Sequence, residues 1–190
     1  MEQNNPPQKY HVFLGLTPPE GLVAEIARFQ KGKYKPPVKW TKPEKFHLTL
    51  FFWEALTAEE YEILYDTISA NLRATNLDYH LDSFISGYHF FLRVSVLYLR
   101  EISADIPGFR EALTPHVRIP EFPFKDNPDF IPHWTLGRKF HPGLLDRHKE
   151  YFFALDKFTF QGTIPEVALF ISMDGEYKKK VLHPSDNKRQ

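Results

Sequence analysis

The chain has 190 residues, 42% of them apolar and 25% charged, with 24 basic side chains against 24 acidic ones and no cysteine. That length fits one domain or two small lobes with a proper core. A formal net charge of zero argues against coating nucleic acid by bulk electrostatics, and the missing thiols exclude disulfide, thiolate-metal and cysteine-nucleophile chemistry. The opening Met-Glu-Gln-Asn-Asn-Pro-Pro lacks a basic start followed by an apolar stretch, and the longest apolar runs are strand-sized. A cytoplasmic protein with no membrane partner is expected.

In chain order, residues 1–9 read as a flexible tail and residues 12–16 as a strand ended by Thr17-Pro18-Pro19. A helix is expected over 20–30, with Leu22, Ile26 and Phe29 on one face. Lys31, Lys33, Lys35, Lys39, Lys42 and Lys45 follow with only Glu44 opposing them. Such a run is either a solvated loop or a set of basic groups that draws in an anion. A strand over 46–53 leads to Thr57-Ala58-Glu59-Glu60, a capping-box pattern that opens a helix to residue 72. Residues 77–86 and 90–99 read as strands joined by a short turn through Gly87. The second half repeats much of this order. A helix is expected over 107–117, then an irregular segment over 119–130, a strand carrying 133–136 and a short helix over 143–153. Strands over 155–161, 167–173 and 176–182 close the chain. Two α+β units, with segments 47–50 and 133–136 on central strands, are the expected arrangement.

Those two segments are His47-Leu48-Thr49-Leu50 and His133-Trp134-Thr135-Leu136, and both read H-x-T-L. A strand has a side-chain period of two, so the His and Thr of each project from one face. Taken singly, each is an ordinary core strand with a hydrogen-bonded His and a β-branched Thr. As a pair in corresponding halves they offer two imidazoles and two hydroxyls to one point. That set suits in-line chemistry at a phosphodiester: one imidazole takes a proton, the other gives one, and the hydroxyls hold phosphoryl oxygens. Arg138 sits at an odd offset from His133 and would face away in an unbroken strand, unless a bulge at Gly137 re-aims it. Trp40, Phe46 and Trp134 read as packing. His141 and His148 are spaced to share a helix face but lack a third ligand. His80, His89, His116 and His183 read as surface or hydrogen-bonded residues. The sequence holds no phosphate-loop, serine-hydrolase or zinc-protease pattern.

On these motifs the chain resembles the 2H phosphoesterase superfamily, named for paired H-x-T/S-x motifs. Within it the chain is similar to the RNA 2′,3′-cyclic phosphodiesterase, or 2′-5′ RNA ligase, family. The likeness extends beyond the motifs. The stretch from His11 to Pro19 resembles the family's opening strand and turn, and that from Val38 to Phe46 its approach to the first motif. Ile131-Pro132 and Arg138 resemble the flanks of the second motif, and the stretch from Val167 to Ser172, with Gly175 and Tyr177, the last hairpin. The chain departs from the family at Phe51-Phe52-Trp53-Glu54, where a Phe-Leu-Gly turn is usual, and at Trp134, where aliphatic residues are commoner.

The resemblance implies one domain over 1–190 with an α+β fold. Its two interleaved, pseudo-symmetric lobes would each be a mainly antiparallel sheet with helices on the outer face, and the active site would lie in the groove between them. It implies metal-independent hydrolysis of a 2′,3′-cyclic phosphate to a 2′-phosphate, with 2′-5′ ligation as the reverse reaction. The partner would be RNA with a cyclic phosphate end or a small cyclic nucleotide, with no cofactor and no metal, and the protein a monomer. His47 and His133 would be the catalytic pair, His47 as acid and His133 as base, with Thr49, Thr135 and Arg138 binding substrate. Two other readings stand beside it. One is a 2H enzyme for another cyclic phosphate or a 2′-5′ oligonucleotide. The other is a non-catalytic RNA-binding module, against which the intact His and Thr of both motifs count.

Overall fold

Strand β1 (Tyr10–Leu16) is buried on both faces, against two different neighbours. Val12, Leu14 and Leu16 point into the main core, whereas Phe13 points the other way, into a small cluster with Ala168 and Phe170. The period-two alternation of a strand produces this split. The computed structural model describes residues 7–32, 34–75, 80–173 and 176–184.

β1 sits inside a four-stranded antiparallel sheet with β3 (Leu48–Leu56), β8 (Glu166–Met173) and β9 (Glu176–Pro184), in the order β3-β1-β8-β9. A second antiparallel sheet has the order β2-β6-β5-β4-β7. Its strands are β2 (Lys39–Trp40), β4 (Asp82–Phe91), β5 (Val96–Glu101), β6 (His133–Arg138) and β7 (Thr159–Thr163). The fold is therefore α+β, with two antiparallel lobes. The first sheet takes strands from both ends of the sequence and the second from its middle, so the lobes interleave.

Helices cover the outer faces. Helix α1 (Leu22–Lys31) buries Leu22 and Ile26. Helix α2 (Ala58–Thr75) opens with the expected capping box: Glu60 N–H donates to Thr57 Oγ1 (3.1 Å) and Thr57 N–H to Glu60 Oε2 (2.7 Å). Tyr61, Leu64, Ile68 and Leu72, three and four residues apart, form its buried stripe. The Tyr61 and Tyr65 hydroxyls donate to the carbonyls of Leu169 and Val181, both at 3.1 Å, which ties α2 to the first sheet. Helix α3 (Asp105–Val117) repeats the stripe with Ile106, Phe109, Leu113 and Val117. Helices α4 (Gly143–Arg147) and α5 (Lys149–Asp156) follow β6, and Phe152 of α5 packs on Tyr88 of β4 at 5.2 Å.

The structure corrects several expectations. Gly87 is not a turn: β4 runs through it, with a register shift between Ile85 and Tyr88 and a Gly87 φ of 65°. A Cβ there would come within 2.8 Å of the Asp156 carbonyl, so the glycine serves a bulge and a close approach. The hairpin instead turns through Leu92–Val94, with Ser95 left-handed at φ 52°. That turn has neither Gly nor Pro to announce it. The expected helix over 143–153 is two helices broken at His148, and Leu155 belongs to α5 rather than to a strand. Tyr151, Phe152 and Leu155 are its buried face, at helical spacing. The motif strands are not both central, since β3 is the edge of its sheet. Residues 7–9 are exposed and irregular. The rest of the expected tail, Lys33, the start of the expected 77–86 strand, Gly175 and the His183 side chain lie outside the described residues. Among the described residues no helix is long and apolar enough to cross a membrane.

Candidate active site

The two motifs meet through the same local device used twice. A 3-10 turn over Pro43–Lys45 delivers the chain to His47, one residue ahead of β3, and His133 opens β6. In each case the imidazole Nδ1 lies 2.7 Å from the carbonyl two residues earlier, Lys45 for His47 and Ile131 for His133. A carbonyl only accepts, so Nδ1 carries the proton and Nε2 is an acceptor on both rings, with no hydrogen-bond partner among the described residues. The two Leu residues that end the motifs are also equivalent. On β3, Thr49 pairs with Gly15 and Phe51 with Leu14, which leaves Leu50 as an extra residue. On β6, Thr135 pairs with Tyr98 and Gly137 with Leu97, which leaves Leu136 extra. Both are bulges, and both Leu side chains are buried.

The second bulge settles the orientation of Arg138. It shifts the alternation by one residue, so Arg138 comes back to the face of His133 and Thr135. The bulged residue is Leu136, one before the expected Gly137. Gly137 matters for another reason: a Cβ on it would sit 3.0 Å from Val38 and 3.2 Å from the Lys39 carbonyl, where β2 closes on β6.

His47, Thr49, His133, Thr135 and Arg138 line one groove of about 360 Å³. All five site residues expected from the sequence are thus brought together. Lys39, Lys42, Lys45 and Tyr177 line it as well, and no carboxylate does among the described residues. Three of the six lysines singled out in the sequence therefore face the groove. Trp40 also lines it while packing on Tyr151 at 6.0 Å, and its indole N–H has no hydrogen-bond partner among the described residues.

Aromatic rings hold each imidazole from behind. His47 stacks on Phe13 at 4.3 Å and meets Tyr177 edge-on at 5.4 Å, and Lys45 Nζ lies 5.3 Å from the Tyr177 ring. His133 meets Tyr98 at 5.0 Å and Phe91 at 5.1 Å. Burial pulls the His47 pKa from the usual 6.5 to about 4. The bond to the Lys45 carbonyl opposes this, and the charges of His133 and Arg138 add to it. His133 is lowered as well, by burial first and Arg138 second, against the bond to the Ile131 carbonyl. Both rings are neutral at pH 7.

Trp134 is fully buried, as packing, but with a polar task. Its indole N–H donates to Glu101 at 2.9 Å, and the same carboxylate accepts from Ser83, from Phe84 N–H (2.7 Å) and from Ser103 N–H (3.1 Å). Two of the other histidines have structural places: His141 Nδ1 accepts from Gly143 N–H at 3.1 Å, and His148 Nδ1 donates to the Tyr34 carbonyl at 3.0 Å. Among the described residues no three His, Asp or Glu side chains gather as a metal cluster would.

E. coli LigT in its apo form superposes with a TM-score of 0.65, over 93% of this chain and 96% of that one, at 18% sequence identity. The chain has the LigT fold. LigT complexed with 3′-AMP aligns at a TM-score of 0.63 and 17% identity over the same shares. TT0787 of Thermus thermophilus aligns at 0.61 and 21% over 91% of this chain and 95% of its own. The MHV ns2 PDE domain aligns at 0.56 and 15%, over 92% and 99%. The sequence matches no family model and no curated protein. At these identities the likeness to LigT and the others speaks for the fold alone.

Proposed function

We propose that the chain is a single 2H phosphoesterase domain that opens 2′,3′-cyclic phosphates, at RNA ends or on nucleotides, to 2′-phosphates. One observation carries the reading: two imidazoles with free Nε2 atoms and two Thr hydroxyls line one groove with four cationic side chains and no lining carboxylate among the described residues. That donor set suits a phosphoryl anion. The resemblance of the motifs to the 2H superfamily and the LigT fold support the same reading. LigT has been solved with 3′-AMP, with ATP and with NADP+, and we carry nucleotide binding from it to this groove.

In this mechanism His133 takes a proton from water as the water oxygen bonds to phosphorus, and the bond to the ribose 3′ oxygen breaks. His47 gives its proton to that departing oxygen. Thr49 and Thr135 donate to the non-bridging oxygens, and Arg138 offsets their charge. The pair resets when the proton gained by His133 returns to His47 through solvent. His47 is neutral at pH 7, with its one proton on Nδ1, so it must gain a second with the phosphate anion, whose charge offsets that of Arg138.

Since one extra proton must reside on the pair and both pKa values lie below 6.5, kcat/KM peaks below pH 6.5 and falls toward pH 8. A cyclic phosphodiester keeps its single charge throughout, so the slope belongs to the enzyme. The test of the reading is turnover, with chelator present, of a panel containing 2′,3′-cyclic nucleotides, 3′,5′-cyclic nucleotides and 2′-5′-linked dinucleotides. Chelator-resistant opening of the 2′,3′-cyclic members is expected. Turnover of the 2′-5′ dinucleotides alone would replace the substrate, and loss of all turnover in chelator would overturn the mechanism.

A further inference from the structure

His133, Thr135 and Arg138 are a shared wall. On one side lies the groove, and on the other a second cavity of about 520 Å³, within the range of about 300–1,000 Å³ typical of small-molecule sites. Its lining differs from that of the groove. Phe91, Val94 and Ile131 give it an apolar side, although Val94 is 60% and Ile131 47% exposed. Asn127 and Asp129 give it a polar one, and Arg93 lines it as well.

The polar side is held in place. Arg110 donates from Nη2 to the Asn127 carbonyl (3.5 Å), pairs with Asp126 (3.8 Å) and stacks on Phe130 (4.7 Å). Its Nε donates to the carbonyl of Leu50, the bulged residue of the first motif, at 3.0 Å. The segment bearing Asn127 and Asp129 is thus tethered to the opposite lobe, so its geometry is set before anything binds.

The lining is mixed, with the Arg93 and Arg138 guanidiniums set against one carboxylate and an apolar side, so it is not built for a phosphate alone. A nucleobase does suit it: it has apolar faces for Phe91, Val94 and Ile131 and polar edges for Asn127 and Asp129. A base whose ribose carries the cyclic phosphate would also have to sit beside the groove, across a wall the two cavities share. We infer that the second cavity seats the nucleobase of the nucleotide bearing the cyclic phosphate, and that Asp129 selects guanine. Guanine presents N1–H and its 2-amino group side by side, two donors for two carboxylate oxygens. Adenine and cytosine place an acceptor nitrogen beside their amine, and uracil sets its N–H between two carbonyls, all of which a carboxylate repels.

This inference rests on the cyclic-phosphate reading, and the experiment separates the two. The four 2′,3′-cyclic nucleotides and a methyl riboside 2′,3′-cyclic phosphate lacking a base are turned over by wild type and by Asp129→Ala. The four nucleoside 2′-monophosphates are titrated calorimetrically against the same proteins. The guanosine substrate should exceed the uridine one by about tenfold in kcat/KM, the scale of a hydrogen bond to a charged group. Asp129→Ala should level the four bases and leave the base-less substrate unchanged; residue 129 is exposed, so the variant folds. An unchanged base ranking in Asp129→Ala, or a base-less substrate as good as the nucleotides, overturns the inference and leaves the cyclic-phosphate reading intact. Absent turnover with an Asp129-dependent ranking in the titrations would overturn that reading and keep the base site. Neither turnover nor binding would overturn both.

Discussion

Compared residue by residue, β3 and β6 run in step through His, Thr and the bulged Leu, and diverge two positions later. Phe52 on one strand corresponds to Arg138 on the other. Phe52 stacks on His11 at 5.6 Å and belongs to the aromatic cluster of Phe13 and Phe170, whereas Arg138 enters the groove. The residue between His and Thr differs as well: Leu48 is pure core, while Trp134 anchors to the buried Glu101. The first strand thus surrounds its imidazole with rings, and the second brings a fixed charge to its own. A repeated motif here builds a site with two unlike halves, because a ring stands on the first strand where the second has a guanidinium.

The largest effect that sharpens the comparison is loss of either imidazole. His47→Ala and His133→Ala should each lose about 10²–10⁴-fold in kcat, and the double variant should be little worse than either single. Additive losses in steady-state kinetics would mean that the two rings act separately. Next come the hydroxyls: Thr49→Val and Thr135→Val should each lower kcat by about 10²-fold at nearly unchanged KM. A KM effect instead would assign them to ground-state binding.

Arg138→Ala and Phe52→Ala test the divergence itself. Burial lowers both His pKa values and the Arg138 charge adds to it, so removing Arg138 should move the pH optimum upward while kcat/KM falls about tenfold. Phe52→Ala should leave the optimum in place. Equal pH profiles for the two variants would erase the distinction between the strands. The smallest effect is on folding. Trp134→Phe takes one donor from the Glu101 carboxylate and should cost about 1.5–3 kcal/mol in denaturant melts, with activity per folded molecule retained. Lost activity in the folded variant would move Trp134 from packing to chemistry.

The parts of the molecule that follow local rules were visible in the sequence. The capping box at Thr57 and Glu60, the stripes of α2 and α3, and the shared face of His and Thr each depend on spacing alone. What escaped depends on pairing between distant strands. Arg138 enters the groove only because β6 bulges against β5, and Lys39 lines it because a two-residue strand pairs with β6. The turn at Ser95 escaped because a left-handed serine carries no sequence mark, while Gly87 carried a turn's mark and serves a bulge. The cavity beyond His133 was invisible for the same reason. Its lining comes from β4, β5, β6 and a loop that Arg110 ties to the opposite lobe.

The most direct test of the account uses a short RNA ending in a 2′,3′-cyclic phosphate. Wild type, His47→Ala and His133→Ala are incubated with it in the presence of chelator, and the product is read by phosphorus NMR. The account predicts a 2′-phosphate from wild type and no product from either variant on the same timescale. A 3′-phosphate product, or turnover that survives loss of either imidazole, would contradict it.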